Sequence, residues 1–327
     1  MESLLVGALD IGGTKIAASV ADVTGPLARV SQATIKTGTP RAVPEQAIAL
    51  LKQACDKAGI DFNRLQTVGV GSCGPFVANV GMIELATPNI CGGLGHRTDL
   101  PNDWTVIPLE RVLRERFQHV VIENDCVTAL MAERTFGAVQ DAANCVYVTW
   151  STGIGFGLCV DGNVLRGKHG NAGHAGHMLL NPESAAECGC GNRGDLESLI
   201  SGRNLSNAHG IPAPELFQSA RDGEPAARAI VVEAARWLGR ALYNLTITLD
   251  TSVFVVGGSV WLHHGDWLGP IVMQEVESRL QALTKGVSIV PAGLANFVAD
   301  IGAFSLAMPP AWIAEWRKSA PWQAFHS

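Results

Sequence analysis

The sequence predicts an α/β fold with two lobes. Its 327 residues exceed the usual size of a single domain. Apolar runs of strand length alternate with segments of helical periodicity along most of the chain, which is typical of α/β layers. A strand, a glycine-rich turn and a second strand open the chain, and the same series recurs from residue 145. This recurrence predicts two halves of similar topology.

The first half is predicted to open with three strands joined by tight turns. Its strands are placed at 4–9, 16–21, 29–35, 67–70 and 119–123, and its helices at 43–58, about 110–117 and about 127–136. The helix at 43–58 has apolar residues at helical spacing and stops at Gly59. We assign residues 1–126 to a small N-terminal lobe, joined by the C-terminal segment 296–327.

The second half, 127–295, is predicted to be the larger lobe. Its strands are placed at 145–150, 155–160, 164–166, 253–256 and 287–290, and its helices at 225–248 and near 271–283, before a last helix at about 296–307. The tail carries three tryptophans, Trp312, Trp316 and Trp322. Such large rings are expected to dock on the body of the chain or on another subunit.

The composition favours a globular protein that acts on a small molecule. Hydrophobic residues make up 47% of the chain and charged residues 17%, which supplies two cores and argues against disorder. The net charge of -6 argues against a nucleic-acid partner. No signal peptide and no apolar stretch of the roughly 20 residues that cross a bilayer is present. We therefore expect a soluble, cytoplasmic protein without a membrane partner.

A glycine turn between the first two strands is a candidate phosphate site. Glycines leave backbone N–H groups open to a phosphate, and a carboxylate at the strand end can hold Mg²⁺ directly or through water. The spacing is neither that of a Walker A loop nor G-x-G-x-x-G, and by itself such a pair of glycines usually forms only a turn. The candidate residues are Asp10, Gly12, Gly13, Thr14 and Lys15.

Two later turns repeat this chemistry. Thr152, Gly153 and Gly155 follow the first strand of the second half, where they would complete a phosphate clamp. Gly257 and Gly258 follow a very apolar strand. Because ligands bind at the C-terminal ends of parallel strands, an adenosine could lie at this third turn.

Glu123-Asn124-Asp125 ends a strand between the first two turns in sequence. Two short polar side chains there would project at the boundary of the halves, where a substrate is expected. The alternative is an Asn-Asp turn that only caps the next helix.

The cysteines divide into two classes. Six of the eight lie in apolar segments and are expected to be buried, reduced thiols. Cys188 and Cys190 lie instead in a glycine-rich run that follows His174 and His177. Two thiolates, an imidazole and the carboxylate of Asp195 could complete a tetrahedral zinc site, although such a loop can also hold reduced thiols without metal.

Five segments together resemble the ROK family of sugar kinases and related repressors, from about residue 5 to 307. They are DIGGTK, GPFVANVGMIELATPNI, END, STGIGFG and GHAGHM with CGCGNRGDLE. The resemblance implies an actin-like (ribonuclease H-like) ATPase fold with a central cleft, and phosphoryl transfer from ATP with Mg²⁺ to a hexose. The commonest acceptor in this family is the 6-OH of glucose. A homodimer or higher homo-oligomer is also implied.

The resemblance carries roles to matching positions. Asp125 matches the catalytic base, and His177, Cys188 and Cys190 match three of four zinc ligands. The sugar contacts that it implies are Gly74, Thr87, Asn89, Asn124, Asp125, His177 and Glu197.

Two positions depart from the family pattern. His174 stands where a glutamate usually accepts hydrogen bonds from the sugar, and we expect it to contact the sugar as well. A neutral imidazole offers one acceptor, so the preferred sugar stays open between glucose, fructose, mannose and N-acylated hexosamines. Asp195 stands in place of the third zinc cysteine. The metal site is then either Cys₂HisAsp or lost, with Asp195 capping the next helix.

Other functional classes make different demands on the sequence. A repressor of this family carries a helix-turn-helix ahead of the kinase-like body, and only nine residues precede Asp10. A non-catalytic sugar sensor would be expected to lose Asp125 or the phosphate turns, and an actin-like ATPase that moves a partner needs no sugar loop. Polyphosphate stays open as an alternative phosphate donor.

Overall fold

The computed structural model describes residues 4–94 and 99–325, which divide into two compact units. Unit 1 contains residues up to 137, the short segment 166–172 and residues from 296 onward. Unit 2 contains residues 138–165 and 173–295. The predicted lobe boundary after residue 126 would cut a helix near its start, whereas unit 1 keeps that helix whole.

The strands of both units are short and mostly buried. They are β1 (Val6–Ile11), β2 (Lys15–Asp22), β3 (Gly25–Ala33), β4 (Thr67–Ser72), β5 (Phe76–Asn79), β6 (Met82–Leu85), β7 (His119–Asn124), β8 (Cys145–Trp150), β9 (Ile154–Val160), β10 (Asn163–Val164), β11 (Val253–Gly257) and β12 (Ser288–Pro291).

The helices range from single turns to one of 25 residues. They are α1 (Ala42–Lys57), α2 (Leu109–Arg114), α3 (Asp125–Thr135), α4 (Leu196–Ile200), α5 (Gly202–His209), α6 (Ala213–Arg221), α7 (Pro225–Leu249), α8 (Ser259–Glu277), α9 (Gln281–Thr284), α10 (Val298–Ala307) and α11 (Pro310–Ser319). Among the described residues, none of these helices has the length and apolar character needed to span a bilayer.

The two units contain sheets of the same topology, as the recurring turn predicted. The orders are β3-β2-β1-β4-β7 and β10-β9-β8-β11-β12. In each sheet an antiparallel meander is followed by two parallel strands. Because β1, β4 and β7 run parallel in register, the residues after Ile11, Ser72 and Asn124 emerge at one edge of the first sheet.

Helices cover both faces of the unit 1 sheet. A Cβ on Gly7 would lie 3.1 Å from Leu51 of α1, and a Cβ on Gly69 would lie 1.8 Å from the carbonyl oxygen of Ala303 in α10. Gly69 pairs with Ala8, so Gly7 and Gly69 point to opposite faces. Glycine at position 69 therefore lets α10 approach the sheet at backbone distance.

The segment 166–172 binds unit 1 at two places. Arg166 forms an ion pair with the buried Glu123 at the end of β7. The side chain of Asn171 forms two hydrogen bonds with the backbone of Phe76. Its Nδ2 donates to the Phe76 oxygen and its Oδ1 accepts from the Phe76 nitrogen, both at 2.7 Å. This short segment thus belongs to unit 1, although its neighbours in sequence belong to unit 2.

The largest differences between the predicted and the observed elements lie between residues 202 and 283. Helices α5 and α6 were not predicted, and the helix expected near 271–283 instead spans Ser259–Glu277. Helix α4 begins at Leu196 after Asp195, as the capping alternative predicted. Gly265, Gly269 and Pro270 lie within α8 and weaken the helical signal of its sequence. In unit 1, the β5–β6 hairpin was also missed.

Candidate active site

The turn after β1 is fixed by backbone hydrogen bonds and by one threonine. The Gly12 nitrogen donates to the Lys15 oxygen at 2.9 Å, and Thr34 Oγ1 donates to the Gly12 oxygen at 2.7 Å. A Cβ on Gly13 would lie 2.7 Å from Cβ of Asn89. The first predicted phosphate turn and the predicted sugar loop are therefore packed together within unit 1.

Asp125 is the first residue of α3, at the edge where β1, β4 and β7 end. The preceding Asn124 is the helix N-cap, and its Oδ1 accepts from the nitrogens of Cys126 and Val127. Asp125 Oδ1 accepts from the Cys126 nitrogen at 2.8 Å. Asn124 therefore caps α3, as the alternative for this triplet predicted. A sugar contact by Asn124 stays a prediction, and its side-chain nitrogen would make that contact.

Three carboxylates of unit 1 influence one another. Burial, followed by the charges of Asp125 and Asp300, raises the pKa of Asp10 to about 7. Asp300 accepts from Ser19 Oγ at 2.5 Å and from Arg29 Nε at 3.0 Å, so its charge is compensated. Asp10 and Asp125 are oxygen donors of the kind that Mg²⁺ prefers, and a divalent cation would offset the repulsion between them.

The loop that follows β4 contains the other sugar contacts implied for unit 1. Thr87 is fully buried, and its Oγ1 accepts from the Asn89 nitrogen at 3.4 Å. Its carbonyl oxygen accepts from the nitrogens of Ile90 and Cys91. Thr87 therefore shapes this loop, and direct contact of its hydroxyl with a sugar stays a prediction. Gly74 and Asn89 flank the same stretch of chain.

In unit 2, the turn after β8 is held by the start of α5. The nitrogens of Gly202 and Arg203 donate to the oxygens of Ser151 and Thr152, at 2.9 and 3.1 Å. A Cβ on Gly153 would lie 3.3 Å from Glu197 Oε2, which accepts from the Ile154 nitrogen. Glu197, implied as a sugar contact, thus lies beside the predicted phosphate turn of the same unit; Gly155 follows within β9.

A cavity of about 690 Å³ opens within unit 2 next to this turn. Phe217 supplies an aromatic wall, and Ser151, Thr152, Ser259 and Val260 supply the edge near the ends of β8 and β11. Its volume lies in the range of small-ligand sites. The other residues that line it are Gly202, Arg203, Ser206, Asn207, Pro212, Ala213, Pro214, Gln218, Arg221, His263 and His264.

An adenosine site at the third glycine turn stays a prediction, and Ser259 and Val260, which follow this turn, line the cavity. Gly257 and Gly258 do not line it. Gly258 has φ +87°, and a Cβ there would lie 2.4 Å from the Trp150 oxygen, so this glycine is needed for backbone packing. The cavity was not predicted, because α5 and α6, which line it, were not predicted. Ser201 and Gly210, which cap the two ends of α5, were the available signal.

Four side chains of unit 2 form the cluster that was predicted as a zinc site. Their ligand atoms all lie within 4.8 Å of one another. Nδ1 of His177 is 3.9 Å from Cys188 Sγ, 3.6 Å from Cys190 Sγ and 2.9 Å from Asp195 Oδ2. Zinc bonds of about 2.0–2.3 Å in a tetrahedron would place ligand atoms about 3.3–3.8 Å apart. The donor set therefore fits zinc, and small shifts of the ligand atoms would bring them to this spacing.

Hydrogen bonds within this cluster shift the pKa values of its side chains in the absence of metal. The hydrogen bond to Asp195, followed by that to Cys190, raises the pKa of His177 to about 10. The hydrogen bond from Cys188, followed by that from His177, lowers the pKa of the Cys190 thiol. Zinc requires a neutral imidazole and thiolates, so its binding would release protons from these side chains.

His174 and Glu197 lie next to this cluster. The His174 ring stacks on that of His177, with centroids 6.2 Å apart. Glu197 Oε1 accepts from the Cys188 thiol at 3.3 Å. Glu197 thus connects the cluster with the turn at Gly153. The predicted site residues therefore fall into two groups, one in each unit.

The model of the ROK family matches residues 6–309. This chain belongs to the ROK family. The family resemblance drawn from the five segments and the actin-like α/β fold class are both confirmed.

Two curated relatives cover most of the chain. It is 31% identical over 309 residues to a glucokinase of Pyrobaculum calidifontis, which covers 91% of this chain and 93% of the relative. It is 33% identical over 279 residues to an N-acetylmannosamine kinase of Salmonella arizonae, covering 82% and 88%.

One solved structure with bound ligands is also similar. It is a ROK family glucokinase from Streptomyces griseus in complex with glucose and AMPPNP, with 29% identity and a TM-score of 0.68, covering 93% of this chain and 99% of that one. These three relatives are sugar kinases, and their names give different substrates.

Proposed function

We propose that this ROK protein is an ATP-dependent sugar kinase in which Asp125 is the general base. The observation that carries the proposal is the position of Asp125 after β7, at the edge of the sheet where the Gly12–Thr14 turn follows β1. The sugar hydroxyl oxygen attacks the γ-phosphorus while its proton passes to the Asp125 carboxylate. The bond from the γ-phosphorus to the bridging oxygen breaks, and ADP leaves with that electron pair.

ATP is the donor that the cavity of unit 2 favours. Polyphosphate needs only cationic groups and N–H donors, whereas this cavity offers a space of about 690 Å³ with an aromatic wall at Phe217. The AMPPNP complex of the Streptomyces relative supports the same choice. We assign the adenosine to this cavity, and the phosphates to the turns at Gly12–Lys15 and Thr152–Gly155. Mg²⁺, held by Asp10, would neutralise charge on the phosphates.

The acceptor is a hexose, and two candidates follow from the relatives. Glucose with its 6-OH is the first, in line with the two glucokinases. An N-acylated hexosamine is the second, in line with the N-acetylmannosamine kinase. His174 favours the second candidate, because an imidazole N–H can donate to an acyl oxygen, while the carboxylate usual at this position can only accept.

We further propose that zinc, held by His177, Cys188, Cys190 and Asp195, has a structural role. The cluster adjoins both His174 and Glu197, so fixing its loops would fix these two proposed sugar contacts. A homodimer or higher oligomer and a cytoplasmic location stay predictions of the family resemblance and the sequence.

The deciding experiment measures ATP consumption and sugar phosphate formation together. The panel is glucose, N-acetylmannosamine, N-acetylglucosamine, mannose and fructose, with Asp125→Asn as the inactive control. A kinase gives equal amounts of ADP and sugar phosphate with at least one sugar. ATP hydrolysis that no sugar changes would instead support an actin-like ATPase, and sugar binding without turnover would support a sensor. Either result would overturn the proposal.

A further inference from the structure

The C-terminal residues 310–325 form an aromatic segment outside the part of the chain that the family model matches. Helix α11 supplies Trp312 and Trp316, and the turn after it supplies Trp322. All three rings are buried, and Trp316 is fully so. The segment therefore packs within unit 1 and does not extend into solvent.

The aromatic segment binds the C-terminal end of α3. Phe136 follows the last residue of α3. The centroid of its ring lies 5.4 Å from that of Trp322 and 6.3 Å from that of Trp316. Arg317 Nε donates to the Thr135 oxygen at 2.8 Å. This bond satisfies a carbonyl at the helix end and places a cation where the helix dipole favours one.

The same segment binds α10 and the β2–β3 turn. The Phe304 ring of α10 meets the Trp316 ring edge to face at 5.8 Å. Trp316 Nε1 donates to the Val23 oxygen at 3.0 Å, and Pro321 packs against Gly25. Trp316 thus joins α10, the end of α3 and the sheet at a single buried ring.

Helices α3 and α10 contact each other within the first turn of α3, which begins at Asp125. A Cβ on Gly302 of α10 would lie 2.8 Å from the Thr128 oxygen of α3, so the two backbones touch. Thr128 Oγ1 donates to the Asn124 oxygen, one residue before Asp125. The charge of Asp300 in α10 contributes to the raised pKa of Asp10. The N-terminal ends of these helices, away from the aromatic segment, therefore carry Asp125 and Asp300.

We infer that the aromatic segment positions Asp125 by fixing the far ends of α3 and α10, an inference that rests on the proposed kinase function. The 11 residues of α3 span about 16 Å, and a packed helix of this length moves as a rigid rod. A shift at Phe136 is then passed to Asp125. Because transfer to a hydroxyl depends on near-attack geometry, small shifts of the base reduce turnover more than binding.

The test compares two variants of the segment with one neighbouring control. Trp316→Phe removes the bond to Val23 and part of the ring, and Arg317→Ala removes the contact with Thr135. Lys318→Ala is the control, since Lys318 is exposed, as Arg317 is, and lies on the same helix. We expect kcat to fall about fivefold or more in the first two variants, with both KM values within about twofold, and no change in the control. Arg317→Lys should restore part of the loss.

Hydrogen exchange gives a readout that needs no activity. Amides of Cys126 and Val127, at the start of α3, should exchange faster in Trp316→Phe than in Lys318→Ala at a temperature far below both unfolding midpoints. Unchanged kcat and unchanged exchange at these amides, even with a lower unfolding midpoint, would show that the segment only stabilises unit 1. A wild-type protein without kinase activity would overturn the proposed function, and the exchange result would still decide whether the segment holds α3.

Discussion

Asp195 uses its two carboxylate oxygens for different partners. Oδ1 accepts from the Ser198 nitrogen at 2.8 Å and so caps α4, while Oδ2 lies 2.9 Å from Nδ1 of His177. Capping and metal binding were predicted as alternatives for this residue. The two roles are compatible, because each needs one oxygen and both oxygens are fixed by the same buried side chain.

We expect one zinc per chain in protein purified without chelators, and a weaker site in Asp195→Asn. The amide keeps an oxygen that can cap α4, but it lacks the negative charge that binds the metal, so zinc affinity should fall about tenfold or more. Elemental analysis and competition with a chelator measure this. Wild-type protein with full activity and zinc well below one per chain would rule the site out.

Asp125→Asn should lower kcat by at least about 100-fold, because the proton acceptor is lost while size and shape persist. The asparagine can still accept from the Cys126 nitrogen, so the unfolding midpoint should stay close to that of wild type. Asp56→Asn, at an exposed position of α1, is the control and should retain wild-type turnover. Steady-state kinetics and thermal unfolding check both variants; retained turnover in Asp125→Asn contradicts the assigned base.

Without divalent metal, the protein should lose stability as the pH rises from about 4 to 7. The folded state raises the pKa of Asp10 from its ordinary 3.8 to about 7, so it binds one more proton than the unfolded state in this window. The free energy of unfolding should fall by about 4 kcal/mol at most and level off above pH 7. Denaturant titrations of wild type and Asp10→Asn isolate the effect, since only wild type titrates at this position. Parallel curves for the two proteins would refute it.

Valine at Gly12 or Gly153 should raise KM for ATP about tenfold or more with a smaller effect on the sugar, because a larger side chain would block backbone approach to phosphate. Neither glycine has a positive φ, and the nearest contacts of a Cβ are 3.1 and 3.3 Å, so both variants should fold. Titration calorimetry measures nucleotide binding, and unchanged binding in both would refute the clamp. Gly258→Ala is the contrasting variant, whose clash with Trp150 should destabilise the fold by about 3 kcal/mol.

His174→Glu should shift preference from N-acetylmannosamine toward glucose by about tenfold in the ratio of kcat/KM values, since it restores a carboxylate that accepts from sugar hydroxyls. His169→Glu serves as a charge control outside the cluster. Kinetics on the sugar panel give the ratio. An unchanged ranking would mean that His174 does not contact the sugar.

Local signals allowed much of this fold to be predicted. The meander strands, the helix after Arg41 and the 25-residue α7 each carry strong periodicity and clear ends, such as Pro225 at the start of α7. The recurring glycine turn predicted the second sheet. Helices α4, α5 and α6 are short and contain polar residues, so only tertiary packing makes them stable.

Residues of the candidate site were predicted where they belong to contiguous motifs. Contacts between residues that are distant in sequence were missed. The ligand set of the cluster could be named from the Cys-x-Cys run, but the double role of Asp195 depends on where His177 lies. The cavity wall at Phe217 comes from a helix that carries no motif. The link from Trp316 to α3 likewise depends on residues nearly 200 positions apart in sequence, as in the bond between Arg317 and Thr135.

The segment 166–172 limits how this chain can be divided into separate fragments. The chain passes between the units at 137, 165, 172 and 295. A single protease cut therefore always leaves at least one fragment that carries residues of both units. A continuous fragment of residues 138–295 would also carry Arg166 and Asn171 without Glu123 and Phe76, the residues that they bind. Separate expression of the units should accordingly fail, and limited proteolysis should nick the chain without dissociating its parts.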